Sequence, residues 1–269
     1  NHRNKMQPSS FPFPAAVTKM MSKGDAKQIP AAMEAMRQEF ARLSGRCWIE
    51  ANRRSKQDVI REAKQKGEEI HFSMVHGIIG EKGYELPAGD PRRKYKGRAV
   101  LLGDRVFNQD YETATFADLG SAPTTLEGGR IVDAYGCAPG NDSQASDAIQ
   151  AFCQAPMLSK VWVTLPFEAV FNPEFYYAVK EPVVLLLLAL YGYPDSPSYW
   201  EIHCEGKVLK KGWNQVGPEW PSMFWHPELK LLLSIYVDDF KMAGPKENLA
   251  KGWALLREEI DMEEPATPT

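Results

Sequence analysis

The chain has little of what marks a secreted, membrane-spanning or zinc-stabilised protein. Its four cysteines, Cys47, Cys137, Cys153 and Cys204, are scattered with no Cys-x-x-Cys pair. That excludes a disulfide framework or a cysteine zinc site and fits reduced intracellular thiols. Histidine is nearly as sparse, and His203-Cys204 with His226 lacks the spacing of a ligand set. The apolar run Val183 to Leu190 is eight residues long and gives way to Tyr-Gly-Tyr-Pro, too short to cross a bilayer. No membrane partner is expected. Asn1-His2-Arg3-Asn4-Lys5 has no apolar core, so no secretory signal is expected either. There is no internal repeat and no low-complexity tract. At 269 residues the chain can bury a substantial core, as one large domain or two subdomains.

What the chain does have is an uneven distribution of charge. The net charge is −3, which argues against a nucleic-acid partner until it is resolved along the sequence. Residues 1–105 carry 21 Lys and Arg against 12 Asp and Glu, and residues 106–269 carry 11 against 23. A basic first half suits a surface that grips phosphates, and an acidic second half suits metal ligands. A lysine-rich solvated helical face is the plainer alternative.

The most informative segment is Tyr236-Val237-Asp238-Asp239, between the apolar run Leu231-Leu232-Leu233-Ser234-Ile235 and Phe240-Lys241-Met242. Leu229 to Tyr236 reads as a strand, Asp238-Asp239 as a tight turn and Phe240 to Met242 as the return strand. Adjacent carboxylates repel, and burial raises the pKa of each. A bound cation offsets both costs, and hard oxygen ligands favour Mg²⁺. Strand alternation lets one aspartate face an ion squarely, which is assigned to Asp238, with Asp239 in support. The alternative is a solvated acidic turn.

Other elements follow from periodicity and punctuation. Residues 1–28 read as a disordered leader. Pro30 opens a helix from Ala31 to Leu43 whose stripe is Met33, Met36, Phe40 and Leu43. A second helix runs from Ser55 or Lys56 to Lys66, capped by Gly67. Strands are expected at 71–79 and 98–107, joined by a Pro- and Gly-containing basic turn, and a helix from Thr125 to Tyr135. Asp147, before Ala148-Ile149-Gln150-Ala151-Phe152, is either a helix N-cap or a metal ligand, and Phe152 either a core aromatic or a site residue.

Four blocks in order carry a resemblance. They are Ala32 to Phe40, Lys94-Tyr95-Lys96-Gly97-Arg98, Asp147-Ala148-Ile149-Gln150-Ala151-Phe152, and Tyr236-Val237-Asp238-Asp239, with Leu190-Tyr191-Gly192 and Trp200 between the last two. Together they resemble the reverse transcriptase domain of copia-type long-terminal-repeat retrotransposons, over roughly residues 31–260. The resemblance implies an α+β fold of fingers and palm, with an antiparallel palm sheet, packed helices and the thumb largely absent. Fingers would occupy 29–135 and palm 136–269. It implies an RNA-directed DNA polymerase using two Mg²⁺ ions, or Mn²⁺, with Asp147, Asp238 and Asp239 as catalytic metal ligands. Nucleotide contacts would come from Lys96, Arg98, Ala148, Phe152, Gly192 and Tyr236. Lys96 and Arg98 would clamp the triphosphate, Phe152 would exclude a 2′ hydroxyl, Gly192 would let backbone approach the nascent base pair, and Trp200 would pack. Expected partners are a primed RNA or DNA template, deoxynucleoside triphosphates and the rest of a polyprotein carrying RNase H and integrase. The expected location is the cytoplasm, a virus-like particle or the nucleus.

The chain departs from the family at Pro194-Asp195, where many members have Lys-Gln, and at polar Asn141 to Ser146, where a buried palm strand is ordinarily apolar. The alternative function is a catalytically inactive or domesticated remnant that binds nucleic acid or protein. A metal-dependent phosphohydrolase lacks the histidine–carboxylate cluster that would support it.

Overall fold

Residues 17–116 and 122–267 are described by the computed structural model, and they form a mixed α/β arrangement of seven α-helices and two β-sheets. The leader expected over 1–28 is not borne out for its second half. β1 (Thr18–Met20) pairs with a later strand, and Ser22 caps α1 (Lys23–Lys27) by accepting from the Asp25 amide. Residues 1–16 lie outside the described residues.

α2 (Pro30–Leu43) begins on its proline and buries Met36, Phe40 and Leu43, with Met33 packed at the margin. After β2 (Arg54–Ser55), α3 (Lys56–Lys66) stops at Gly67, which takes φ +65° and returns its N–H to the Ala63 and Lys64 carbonyls. β3 (His71–Lys82) organises the first sheet. Its later half pairs with β1 and antiparallel β4 (Lys94–Leu101), and its start pairs with β5 (Phe107–Asn108). β4 ends earlier than the 98–107 strand expected. The Leu101 amide points away from β3 and donates to the Tyr191 carbonyl at 2.6 Å, the Leu102 amide makes a last bond to the Met74 carbonyl of β3, and a short 3₁₀ turn over Gly103–Arg105 follows.

α4 (Leu126–Gly136) is capped by Thr125, whose hydroxyl accepts from the Gly128 amide. β6 (Asn141–Asp147) follows. β7 (Val161–Thr164) then runs parallel to the start of β3, and after α5 (Pro173–Tyr176), β8 (Pro182–Leu185) pairs with β7 and β2. The boundary expected at 135/136 therefore does not follow the sheets. β7 and β8 belong to the second region by sequence and complete the first sheet, since a parallel partner for β3 needs a long crossover.

α6 (Ser196–Lys210) leads into the second sheet, made of β9 (Asn214–Gln215), β10 (Met223–His226), β11 (Leu231–Tyr236) and β12 (Asp239–Pro245), with α7 (Lys246–Arg257) behind it. Its order is β6-β12-β11-β10-β9, antiparallel throughout. β11 is largely apolar because both faces are covered from Leu231 to Ile235. Leu231, Leu233 and Ile235 join Val208, Leu249 and Trp253 in the main core, while Leu232 packs with Val132, Met223 and Ala243.

β6 lies at the edge of that sheet, which accounts for its polar sequence. Gln144 accepts from the Trp253 indole at 2.9 Å, Ser146 donates to the Glu263 carbonyl at 2.7 Å, and Asn141 donates to the Tyr135 carbonyl at 2.9 Å. Its open side is covered by residues 261–266. Ala145 donates to the Ala266 carbonyl, Ile149 to the Asp261 carbonyl, and the Glu263 amide to the Asp147 carbonyl. An exposed strand edge would otherwise invite pairing with another chain. Deleting residues 261–269 is expected to remove amide exchange protection at Ala145 and Ile149 while leaving that of β11 in place, as read by hydrogen–deuterium exchange.

Candidate active site

Three carboxylates meet at one end of the second sheet. Asp147 is the last residue of β6 and Asp239 the first of β12, and the two are cross-strand partners. Asp238 precedes Asp239 in the hairpin turn. The turn differs by one residue from the reading of the sequence. It is made by Val237 and Asp238, with Tyr236 and Asp239 as the closing pair. Strand register sets Asp239, not Asp238, directly across from Asp147.

The turn carries strain. Val237 has φ +58°, and Asp238 is not in the positive-φ region, the pattern of a two-residue turn that ordinarily puts glycine first. Holding a β-branched residue there costs on the order of 1–3 kcal/mol. Two hydrogen bonds hold the turn. The Trp200 indole donates to the Val237 carbonyl at 2.7 Å, and the Ala148 amide donates to the Asp238 carbonyl at 2.8 Å. Trp200 is thus a packing residue, as expected from the sequence, with a positioning bond that no sequence pattern reveals. Trp200→Phe leaves that carbonyl without its donor, and a loss of about 1–3 kcal/mol in urea unfolding is expected.

The acids feel one another. Asp239 is held above the ordinary carboxylate range by partial burial, then by the charges of Asp238 and Asp147 and a hydrogen bond shared with Asp147. Tyr191 is pushed up to about 12, first by burial and then by Asp238 and Cys153, while Arg98 acts in the opposite sense. Tyr191 therefore sits within electrostatic reach of both Asp238 and Arg98. The Phe152 ring lies against it, centroids 4.6 Å apart and tilted by 44°, and Phe152 is buried at the edge of the main core.

Lys96 and Arg98 stand two residues apart on β4, on one face and exposed, opposite Gly80 and Ile78. Partial burial of its stem and the charges of Lys82 and Arg98 hold Lys96 below the usual lysine range. Tyr236 is 55% exposed beside the turn. Ala148 is buried, and its amide serves the turn. Gly192 is required by packing within the chain. With φ +90°, it lets the Tyr191–Gly192 backbone pack onto Leu101 and Gly103 of this chain, where a Cβ would collide with the Leu101 carbonyl. Asp195 precedes α6 and hydrogen-bonds with Tyr199 at 3.4 Å, and it is linked to the acids by no described contact.

Among the described residues, no three of His, Cys, Asp and Glu close around a point as an ion cage. Mg²⁺ ordinarily takes one or two carboxylates and completes its octahedron with water and substrate phosphate. The donor set of Asp147, Asp238 and Asp239 fits that habit, being hard, anionic and partly exposed.

No protein-family model matches the chain, and no curated protein is recognisably similar in sequence. Among solved structures, it is similar to the foamy viral protease-reverse transcriptase dRH in complex with double-stranded DNA, at 15% identity and a TM-score of 0.39. The match covers 80% of this chain and 31% of that one. Among the described residues no helix is long and apolar enough to cross a membrane.

Proposed function

We propose that the chain is an RNA-directed DNA polymerase domain, a fingers-and-palm portion of a copia-type retrotransposon polyprotein. The observation that carries the reading is the meeting of Asp147 with Asp238-Asp239. They come from segments some ninety residues apart, and the edge strand and a strained hairpin bring them to one sheet end. A strained turn held by an indole and a backbone amide from two other elements is costly to keep for structural reasons alone.

In this reading Asp147, Asp239 and Asp238 hold two Mg²⁺ ions. Bound there, magnesium favours ionisation of the primer 3′ hydroxyl and neutralises charge on the leaving pyrophosphate. Trp200 and the Ala148 amide fix the turn so that the carboxylates need not reorganise. Arg98 and Lys96 take the triphosphate, Arg98 through a planar guanidinium suited to two phosphate oxygens. Phe152, backed by Tyr191, bounds the sugar and disfavours a 2′ hydroxyl. Tyr236 lies at the primer end of the turn. The basic first half of the chain serves the template, whose binding would weaken steeply with salt.

The test is primer extension on an RNA template with deoxynucleotides and Mg²⁺. Metal-dependent extension supports the polymerase. Template binding by a folded chain without extension favours the alternative, a remnant that binds nucleic acid.

A further inference from the structure

A cavity of about 170 Å³ lies behind the strained turn, on the face of the second sheet that α6 covers. Its walls include Trp200, Phe224, Ile235 and Val237, with Pro123 arching past on a backbone bond from Thr124 to the Ile235 carbonyl. An apolar cavity of about 150 Å³ accepts benzene, so one aromatic ring fits this volume. The walls are not neutral. Glu201 and Glu205, one turn apart on α6, both line the cavity and are half-buried. Glu201 accepts from the Ala122 amide at 2.9 Å and Glu205 from the Gln215 amide group at 2.6 Å. Among the described residues neither forms an ion pair, so two carboxylates one helical turn apart line the same cavity without a counter-charge. Cys204, between them on α6 and also on the wall, has its thiol pushed well up by burial, with Glu205 and Glu201 adding to the effect.

We propose that this cavity binds a small aromatic cation, one ring seated between Trp200, Phe224 and Val237 and an ammonium or guanidinium group on Glu201 and Glu205. The ring supplies the apolar area the walls ask for, and the cation gives the two carboxylates a charge-assisted partner. The occupant would touch both partners of the Trp200–Val237 hydrogen bond, and that bond holds the turn carrying Asp238 and Asp239. A ligand here therefore biases the geometry of the acidic turn from behind, without entering the site.

The experiment is a titration of ¹⁵N-labelled protein with benzylamine and, separately, with benzyl alcohol, a neutral ring of the same size. Saturable shifts are expected at the Trp200 indole N–H and the Val237 amide, with benzylamine about tenfold tighter than benzyl alcohol. In the Glu201→Gln, Glu205→Gln double variant the two probes should bind alike. Should that variant fail to fold, the advantage of benzylamine in the native chain must shrink when salt is raised. Shifts that do not saturate, that map away from Trp200 and Val237, or that are equal for the two probes overturn the proposal. None of these readouts depends on polymerase activity, so the cavity and the catalytic reading stand or fall separately.

Discussion

Asp239→Asn is expected to abolish Mg²⁺-dependent primer extension while raising the melting temperature of the metal-free protein. The two effects have one cause. Asp239 faces Asp147 across the strand pair and follows Asp238 in the chain, so an amide removes repulsion from the metal-free protein and, under the proposed function, a metal ligand as well. The thermal gain should be modest, on the order of a degree or two, because the group is exposed to solvent. Its pH dependence has a definite sign. A carboxyl whose folded pKa is raised binds its proton more tightly when folded, so it opposes folding once it ionises. The gain from Asn is thus present at neutral pH and disappears as pH falls through the folded pKa. Millimolar Mg²⁺ should raise the melting temperature of the native chain and much less that of the variant. For extension, removing an outer supporting partner of a metal typically costs ~10–100-fold, and loss of a ligand should exceed that. Asp238→Asn and Asp147→Asn should lose extension alike. Extension surviving in all three, with unchanged metal response, would overturn the assignment.

Gly192→Ala is the second large effect, and it concerns folding. A methyl group at this position meets the Leu101 carbonyl, and the backbone there has φ +90°. Overpacking and a left-handed backbone together should cost about 3 kcal/mol or more, a large share of the ~5–15 kcal/mol that holds a domain together. Gly67→Ala is the matched control. It too has positive φ, +65°, but a Cβ there meets nothing within 4 Å, so only the backbone cost of about 1 kcal/mol applies. Urea unfolding of the two variants separates collision from conformation. Equal losses would mean that the Tyr191–Gly192 backbone is free to move away from Leu101. The junction matters because it ties Tyr191 to the end of β4, and the Phe152 ring packs on Tyr191.

Much of the local structure was legible because its signals are local. Pro30 and Gly67 punctuate helices by fixing or freeing φ, and Thr125 caps α4 with its own hydroxyl. The run Leu231 to Tyr236 declares a buried strand, and the paired acids after it declare a turn. β6 was harder to read, since an edge strand whose polar side chains bond to other elements lacks the apolar alternation that marks strands. Pairing across distance was not legible at all. That residues 261–266 cover β6, that β7 lies parallel to β3, and that Gly192 serves Leu101 are all set by packing between segments remote in sequence.

The sequence by itself determined the acids, their order and the strand, turn and return strand around Asp238 and Asp239, because residue type and spacing act within a few residues along the chain. Only the tertiary structure decided that Asp239 faces Asp147, that Trp200 holds Val237 in its strained conformation, and that a cavity lined by Glu201 and Glu205 lies behind them. Register, hydrogen bonds between elements and empty volume are properties of how elements meet, and one residue of slip in the hairpin turn was enough to set Asp239, not Asp238, across from Asp147.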